Sequence, residues 1–170
     1  KTLQDGQWVT IDSSEVVHGL FSMKGPVDSV MMVTLYMDDE GIMPLILEDG
    51  RIEIIISNSQ LSAKGTLLNN ALYEFIEKRN AMEVEMGELE RKEARMVLDG
   101  ANLEDVHEQL AKEEETLAKE MNDYVKDFII ENYENVLGPG VFMMMCSTLP
   151  YPIMTPQIED IMRTAPLIFK

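Results

Sequence analysis

Cysteine occurs once in this chain, at Cys146. One cysteine excludes an intrachain disulfide, a C-x-x-C redox pair and a cysteine-ligated zinc site. Basic residues are also scarce. There are 14 Lys and Arg against 31 Asp and Glu, a net charge of −17. Nucleic acid is a poor partner for such a chain, because a phosphate backbone needs cations to neutralise it. Docking on anionic lipid through a basic patch is disfavoured for the same reason. No run of about 18 apolar residues exists, so no segment of this sequence reads as a membrane-spanning helix. There is no Gly-rich phosphate loop, and no cofactor is expected. The two histidines, His18 and His107, lie far apart and have no Ser, Cys or second His beside them. Nucleophilic catalysis has no support in that arrangement.

What the chain does have is a change of pattern near Gly65. Before it, short apolar runs are separated by turn signals. Trp8-Val9-Thr10-Ile11 is β-prone. Val16-Val17 and Leu20-Phe21 flank His18-Gly19, a hairpin signal because Gly accepts the positive φ of a tight turn. Residues 29–37 form another run, ending at Asp38-Asp39-Glu40-Gly41. Residues 42–47 follow, then Asp49-Gly50, then residues 51–57, in which Ile52, Ile54 and Ile56 alternate as on a half-buried strand. Pro44 marks its run as an edge strand or a bulge. Such spacing predicts an antiparallel β-sandwich or meander.

After Gly65 the period becomes helical. Leu68, Leu72, Phe75, Ile76, Met82, Met86, Leu89 and Met96 approximate one stripe. Leu103, Val106, Leu110, Leu117, Met121, Tyr124, Val125 and Phe128 form a second. Asp99-Gly100-Ala101-Asn102 divides them, with Gly100 as a C-terminal stop and Asn102 as an N-cap. Two helices of about 30 residues, each about 45 Å long, should run antiparallel. They are expected to project as an arm, its apolar seam near Met96, Val97 and Leu103 either buried within the hairpin or shared with a second copy. Past Gly138-Pro139-Gly140, residues 141–147 read as a short buried helix, broken by Pro150 and Pro152. Thr155 and Pro156 open a last helix with Ile158, Ile161 and Met162 on its inner face. The expected class is therefore α+β: an antiparallel β-domain over residues 1–66, a helical hairpin over 67–135, and a short helical tail over 136–170 packing back on the core.

Three groups carry side chains that could form a site, and none is assigned. Met143-Met144-Met145-Cys146 offers soft sulfur ligands, but consecutive helical residues do not converge on one ion, and core packing is favoured. Cys146 should then be buried and inert. Asp38-Asp39-Glu40-Gly41 lacks the spaced ligands of a calcium loop and reads as a turn. The many carboxylates of the helices read as solvated surface with Glu/Lys pairs such as Glu115 and Lys119. Catalytic, cofactor-binding and metal-binding residues are accordingly none.

Four stretches resemble a known family. Residues 11–25, with Ile11, Asp12, Ser13, Val16, Gly19, Phe21, Lys24 and Gly25, resemble an "I-D-S-x-x-V-x-x-G-x-F-x-F-K-G" signature. Residues 45–54, with Leu47, Glu48, Gly50, Ile52 and Ile54, look like "F-x-L-E-x-G-x-I-x-I". Gly65, Thr66, Asn69 and Leu72 resemble "G-T-x-x-N-x-x-L". Phe128, Ile129, Asn132, Asn135 and Gly138 resemble "F-I-x-x-N … N-x-x-G". The family is domain of unknown function 4369, which stands at the N-terminus of thioredoxin-like (AhpC/TSA, TlpA-type) proteins of Bacteroidetes, mostly exported lipoproteins. One or two further strands usually precede the "I-D-S" segment, and here only residues 1–7 stand before Trp8. The family's redox residues match no position in this chain.

The resemblance implies a non-catalytic accessory module of an exported thioredoxin-like thiol-disulfide protein. Its role would be partner binding, dimerisation or spacing. The alternative is a stand-alone exported lipoprotein that binds a protein, peptide or small ligand. Either would be periplasmic or anchored in the outer membrane, touching the membrane only through a lipid upstream of Lys1. A protein partner or self-association through the helical hairpin is expected, and nucleic acid is not.

Overall fold

A computed structural model describes residues 1–151 and 153–166. Pro152, expected to help end the third helix, lies outside the described residues. The chain divides into two compact units, Lys1–Tyr73 and Glu74–Lys170.

The first unit is built from antiparallel hairpins. Strand β1 (Thr2–Gln4) pairs with β2 (Gln7–Val9), β3 (Met31–Met37) with β4 (Glu40–Leu47), and β5 (Glu53–Ile56) with β6 (Leu61–Lys64). Asp5-Gly6 and Asp38-Asp39 close the first two pairs with positive φ at both central residues, the turn whose twist suits a two-residue hairpin. His18-Gly19 makes the same turn between Val17 and Leu20. The β3–β4 ladder is the longest. It matches Val33 with Leu45 and Leu35 with Met43 and slips by a bulge between Leu35 and Tyr36. Val33, Met43, Leu45, Ile46, Ala63, Leu72 and Tyr73 are buried. The β1 hairpin joins β3 where Lys1 and Thr34 exchange backbone hydrogen bonds of 2.7 and 2.8 Å, and Trp8 of β2 packs edge-on against Tyr36 of β3 at 5.8 Å.

The α+β class holds, but the strands do not form one sandwich or meander. A meander would also carry ladders between β2 and β3 and between β4 and β5; among the described residues each ladder stops at its own hairpin. The connections account for this. Residues 10–30 separate β2 from β3. After β4 the chain turns at Gly50 and does not run back beside it, so β4 keeps an open edge, as Pro44 requires.

Helix α1 (Leu67–Leu98) begins in the first unit and runs on into the second, where α2 (Leu103–Glu131), α3 (Leu137–Ser147) and α4 (Pro156–Thr164) follow. Between α1 and α2 the chain reverses within four residues. The Ala101 N–H donates to Met96 O and the Gly100 N–H to Val97 O, closing α1 with Gly100 at a φ of 90°. Asn102 Oδ1 then accepts the Glu104 N–H at 2.8 Å. The helices run antiparallel. Phe75 stacks on Phe128 at 4.2 Å, Lys78 lies over the Tyr124 ring at 4.3 Å, Lys92 pairs with Glu113 at 3.2 Å, and Glu93 meets His107 at 3.1 Å. Val106, Leu110, Leu117, Val125 and Ile129 form the buried stripe of α2. Leu103, expected on that stripe, is exposed in the first turn, as is Leu98 at the other side of the link.

Helix α3 starts earlier than its sequence indicates, because Pro139 falls in the first turn, where its missing N–H costs no helical bond, and the Gly140 N–H already donates to Val136 O at 3.0 Å. Helices α3 and α4 pack on α2. Thr155 Oγ1 caps α4 by accepting the Ile158 N–H at 3.2 Å, and Ile158 and Ile161 are buried. Lys126 of α2 donates to Asp160 of α4 at 2.8 Å and to Asp123 at 3.3 Å, while Arg163 donates to Asp160 at 2.6 Å.

This cluster sets a pH window. Lys126 and then Arg163 hold the Asp160 carboxyl below its ordinary 3.8, so its contribution is present above 3.8 and lost as pH falls through the lowered value. Asp160 and then Asp123 hold Lys126 above 10.5, so its contribution is present below 10.5 and lost as pH rises through the raised value. Asp160→Asn should therefore speed amide exchange in α4 at neutral pH, and the gap from the natural chain should close in acid. A gap unchanged by acid would contradict this.

Candidate functional site

Residues 65–73 of α1 and its approach are fastened to strand β4 by side chains alone. Asn69 is fully buried. Its Oδ1 accepts the Ile46 N–H at 2.8 Å, and its Nδ2 donates to Ile46 O at 2.7 Å and to Thr66 Oγ1 at 2.9 Å. Both backbone groups of Ile46 point away from β3, so the Asn69 amide completes them as the peptide of a neighbouring strand would. One helical turn on, Tyr73 donates its hydroxyl to Pro44 O at 2.7 Å. Burial pushes that hydroxyl up to about 12, so it remains a neutral donor. Four residues of helix rise about 6 Å, and two residues of strand about 6.6 Å. Asn69 and Tyr73 on one helix face therefore match Ile46 and Pro44 on one strand edge.

The start of the helix is completed from the strand. Glu48 Oε1 accepts the N–H groups of Leu68 at 2.8 Å and Asn69 at 3.0 Å, placing a carboxylate at the positive end of the helix dipole. Gly65, at a φ of 111°, approaches Arg51 O so closely that a Cβ would overlap it.

These are the residues that carry two of the four motifs. Glu48, Gly65, Thr66, Asn69 and Leu72 hold a helix to a strand edge. The last motif forms the corner between α2 and α3. Asn132 Nδ2 donates to Phe128 O at 2.9 Å, Asn135 Nδ2 to Asn132 Oδ1 at 3.0 Å, the Leu137 N–H to Asn135 Oδ1 at 2.8 Å, and the Gly138 N–H to Asn132 O at 3.1 Å. A Cβ on Gly138 would stand 2.7 Å from Ile129 O.

The candidate groups each fall on a separate element. Asp38-Asp39-Glu40-Gly41 is the β3–β4 turn. His18 sits in a turn, and His107 is an exposed residue of α2 whose Nδ1 meets Glu93. On α3, Met143 is exposed, and Met144, Met145 and Cys146 are half-buried. Full burial of Cys146 is thus not realised, because α3 turns only Leu137, Gly138 and Val141 fully inward. Among the described residues, no group of three or more His, Cys, Asp or Glu could hold a metal ion, and no helix is long and apolar enough to cross a membrane.

The first motif lies elsewhere. Residues 10–16 and 21–27 run without a bend on either side of the His18-Gly19 turn, and residues 10–30 are exposed throughout except for half-buried Phe21. Val17 and Leu20 exchange backbone bonds of 2.9 and 3.0 Å at the turn, and no ladder follows. Sequence reasoning identified the turn but not the openness of the ribbon.

The arrangement defines an α+β protein whose β-unit is closed by the opening turns of a long helix. Residues 1–72 match the family model of a domain of unknown function, DUF4369. The match ends at the helix turns that hold β4 and does not reach the "F-I-x-x-N … N-x-x-G" segment. No curated protein and no solved structure matches the chain.

Asn69→Ala should leave both backbone groups of Ile46 buried and unpaired. At about 1–3 kcal/mol for each such group, a loss of about 2–6 kcal/mol is expected in urea unfolding followed by circular dichroism. An unchanged midpoint would mean that Asn69 does not hold the strand edge.

Proposed function

We propose that this chain is a non-catalytic accessory module of an exported, thioredoxin-like thiol-disulfide protein, periplasmic or held at the outer membrane by a lipid. Its role is partner binding, dimerisation or spacing. The observation that carries the reading is the match of residues 1–72 to the domain of unknown function. The four motifs, in that family's order, support the Bacteroidetes lipoprotein setting. The residues of three motifs are occupied with internal packing and backbone hydrogen bonds, which fits a scaffold role. Cys146 is the chain's one cysteine, and one thiol cannot alternate between dithiol and disulfide. At the hairpin tip, Leu98 and Leu103 offer an apolar surface for self-association or a partner domain.

The open ribbon over residues 10–30 favours a second reading, a stand-alone exported lipoprotein that binds a protein, peptide or small ligand. The coding sequence past Lys170 separates the two: a thioredoxin fold with C-x-x-C selects the first, a stop codon the second. Purified chain should reduce insulin disulfides no faster than its Cys146→Ala variant. Turnover above that control would overturn the non-catalytic assignment.

A further inference from the structure

The ribbon over residues 10–30 stops being a hairpin for a visible reason. Val17 and Leu20 are a hydrogen-bonded pair, so the antiparallel alternation makes Glu15 and Ser22 the next such pair. There the Ser14 hydroxyl intervenes. It donates to Glu15 O at 3.3 Å and accepts the Ser22 N–H at 3.4 Å, taking both partners of the missing rung. Beyond it the two sides do not pair. Among the described residues, the remaining hydrogen bond in this stretch is local, from the Ser13 N–H to Asp12 Oδ1 at 2.8 Å. Ile11, Val16, Val17, Leu20, Met23 and Val27 are exposed along it, Leu20 to 75%. An extended backbone with unpaired N–H and C=O groups and exposed apolar side chains is a template for one more strand.

What pairs with such an edge must itself be extended, since only an extended backbone repeats donors and acceptors at the same spacing. Charge selects further. Asp12, Glu15 and Asp28 outnumber Lys24 on the ribbon, and the first unit as a whole is acidic. A second copy would set carboxylate against carboxylate between two chains of charge −17. A strand in which apolar residues alternate with Lys or Arg meets both the exposed apolar side chains and the acidic ones.

We propose that residues 10–28 take up an extended, apolar-and-basic segment of another polypeptide by strand addition. This deepens the partner-binding form of the function proposed above, and its outcome is separate from the insulin assay and from what the gene encodes past Lys170.

The test uses the full chain and three probes. The first is a capped peptide of alternating valine and lysine. The second is the same peptide N-methylated at alternate residues, which removes one edge of donors. The third is oligolysine of equal charge. Amide hydrogen exchange is read by NMR and mass by sedimentation. The unmodified peptide should slow exchange within residues 10–17 or 21–28 by at least about tenfold, in a one-to-one complex, and the other two should not. Asp12→Lys combined with Glu15→Lys should weaken binding about tenfold and leave β3–β4 exchange unchanged. Equal protection by the N-methylated peptide, protection confined to α1 and α2, or undiminished binding to the double variant would overturn the proposal. So would a protein that sediments as a dimer by itself with the ribbon already protected, which would make a second copy the occupant.

Discussion

The β-unit depends on one side-chain amide. A two-stranded hairpin is marginal alone and needs a third layer or a covered edge. Strand β4 has neither a further strand beyond it nor an amide N–H at Pro44. Asn69 supplies what a neighbouring strand would have given at Ile46, and Tyr73 does so at Pro44. Because helix rise and strand rise nearly coincide over this interval, two contacts register where a random crossing would give one. Glu48 then ties the helix start to the strand end. The helix is therefore part of the β-unit for its first seven residues, and the compact unit closes at Tyr73.

Much of this architecture was legible in the residues. Both helix ends at the hairpin link could be assigned, because a Gly at positive φ and an Asn cap are local chemistry that needs no tertiary context. The His18-Gly19 and Asp38-Asp39 turns were readable for the same reason. Strand β1 escaped notice because its partner β2 is three residues long and exposed, so neither shows alternation. Strand β6 buries Ser62 and Ala63, small residues that give no hydrophobic period. The start of α3 was masked by Gly138-Pro139-Gly140, which look like a break. They are tolerated because Asn132 and Asn135 take up the chain at that corner.

The candidate groups were legible as local elements. The methionine run lies along α3, the acidic turn closes β3–β4, and the histidines fall in a turn and on α2, so their bland readings rest on helix and turn geometry. The four motifs were visible as patterns, but their physical roles were not. A sequence shows that Glu48, Gly65, Thr66 and Asn69 recur in a recognisable spacing; it does not show that they converge on one strand edge. Nor does it show that the first motif lies on an open ribbon. That depends on the Ser14 hydroxyl taking the place of a backbone rung, a choice of a few hydrogen bonds that no local propensity dictates.

The central claim is that a helix side chain replaces a strand at the β4 edge. Native-state exchange of the Ile46 amide tests it most directly. That N–H has no backbone acceptor and is held by Asn69 Oδ1. The account predicts that it exchanges as slowly as the amides of the β3–β4 ladder, and through the same opening event as the first two turns of α1. Fast exchange at Ile46 beside a protected ladder would contradict it.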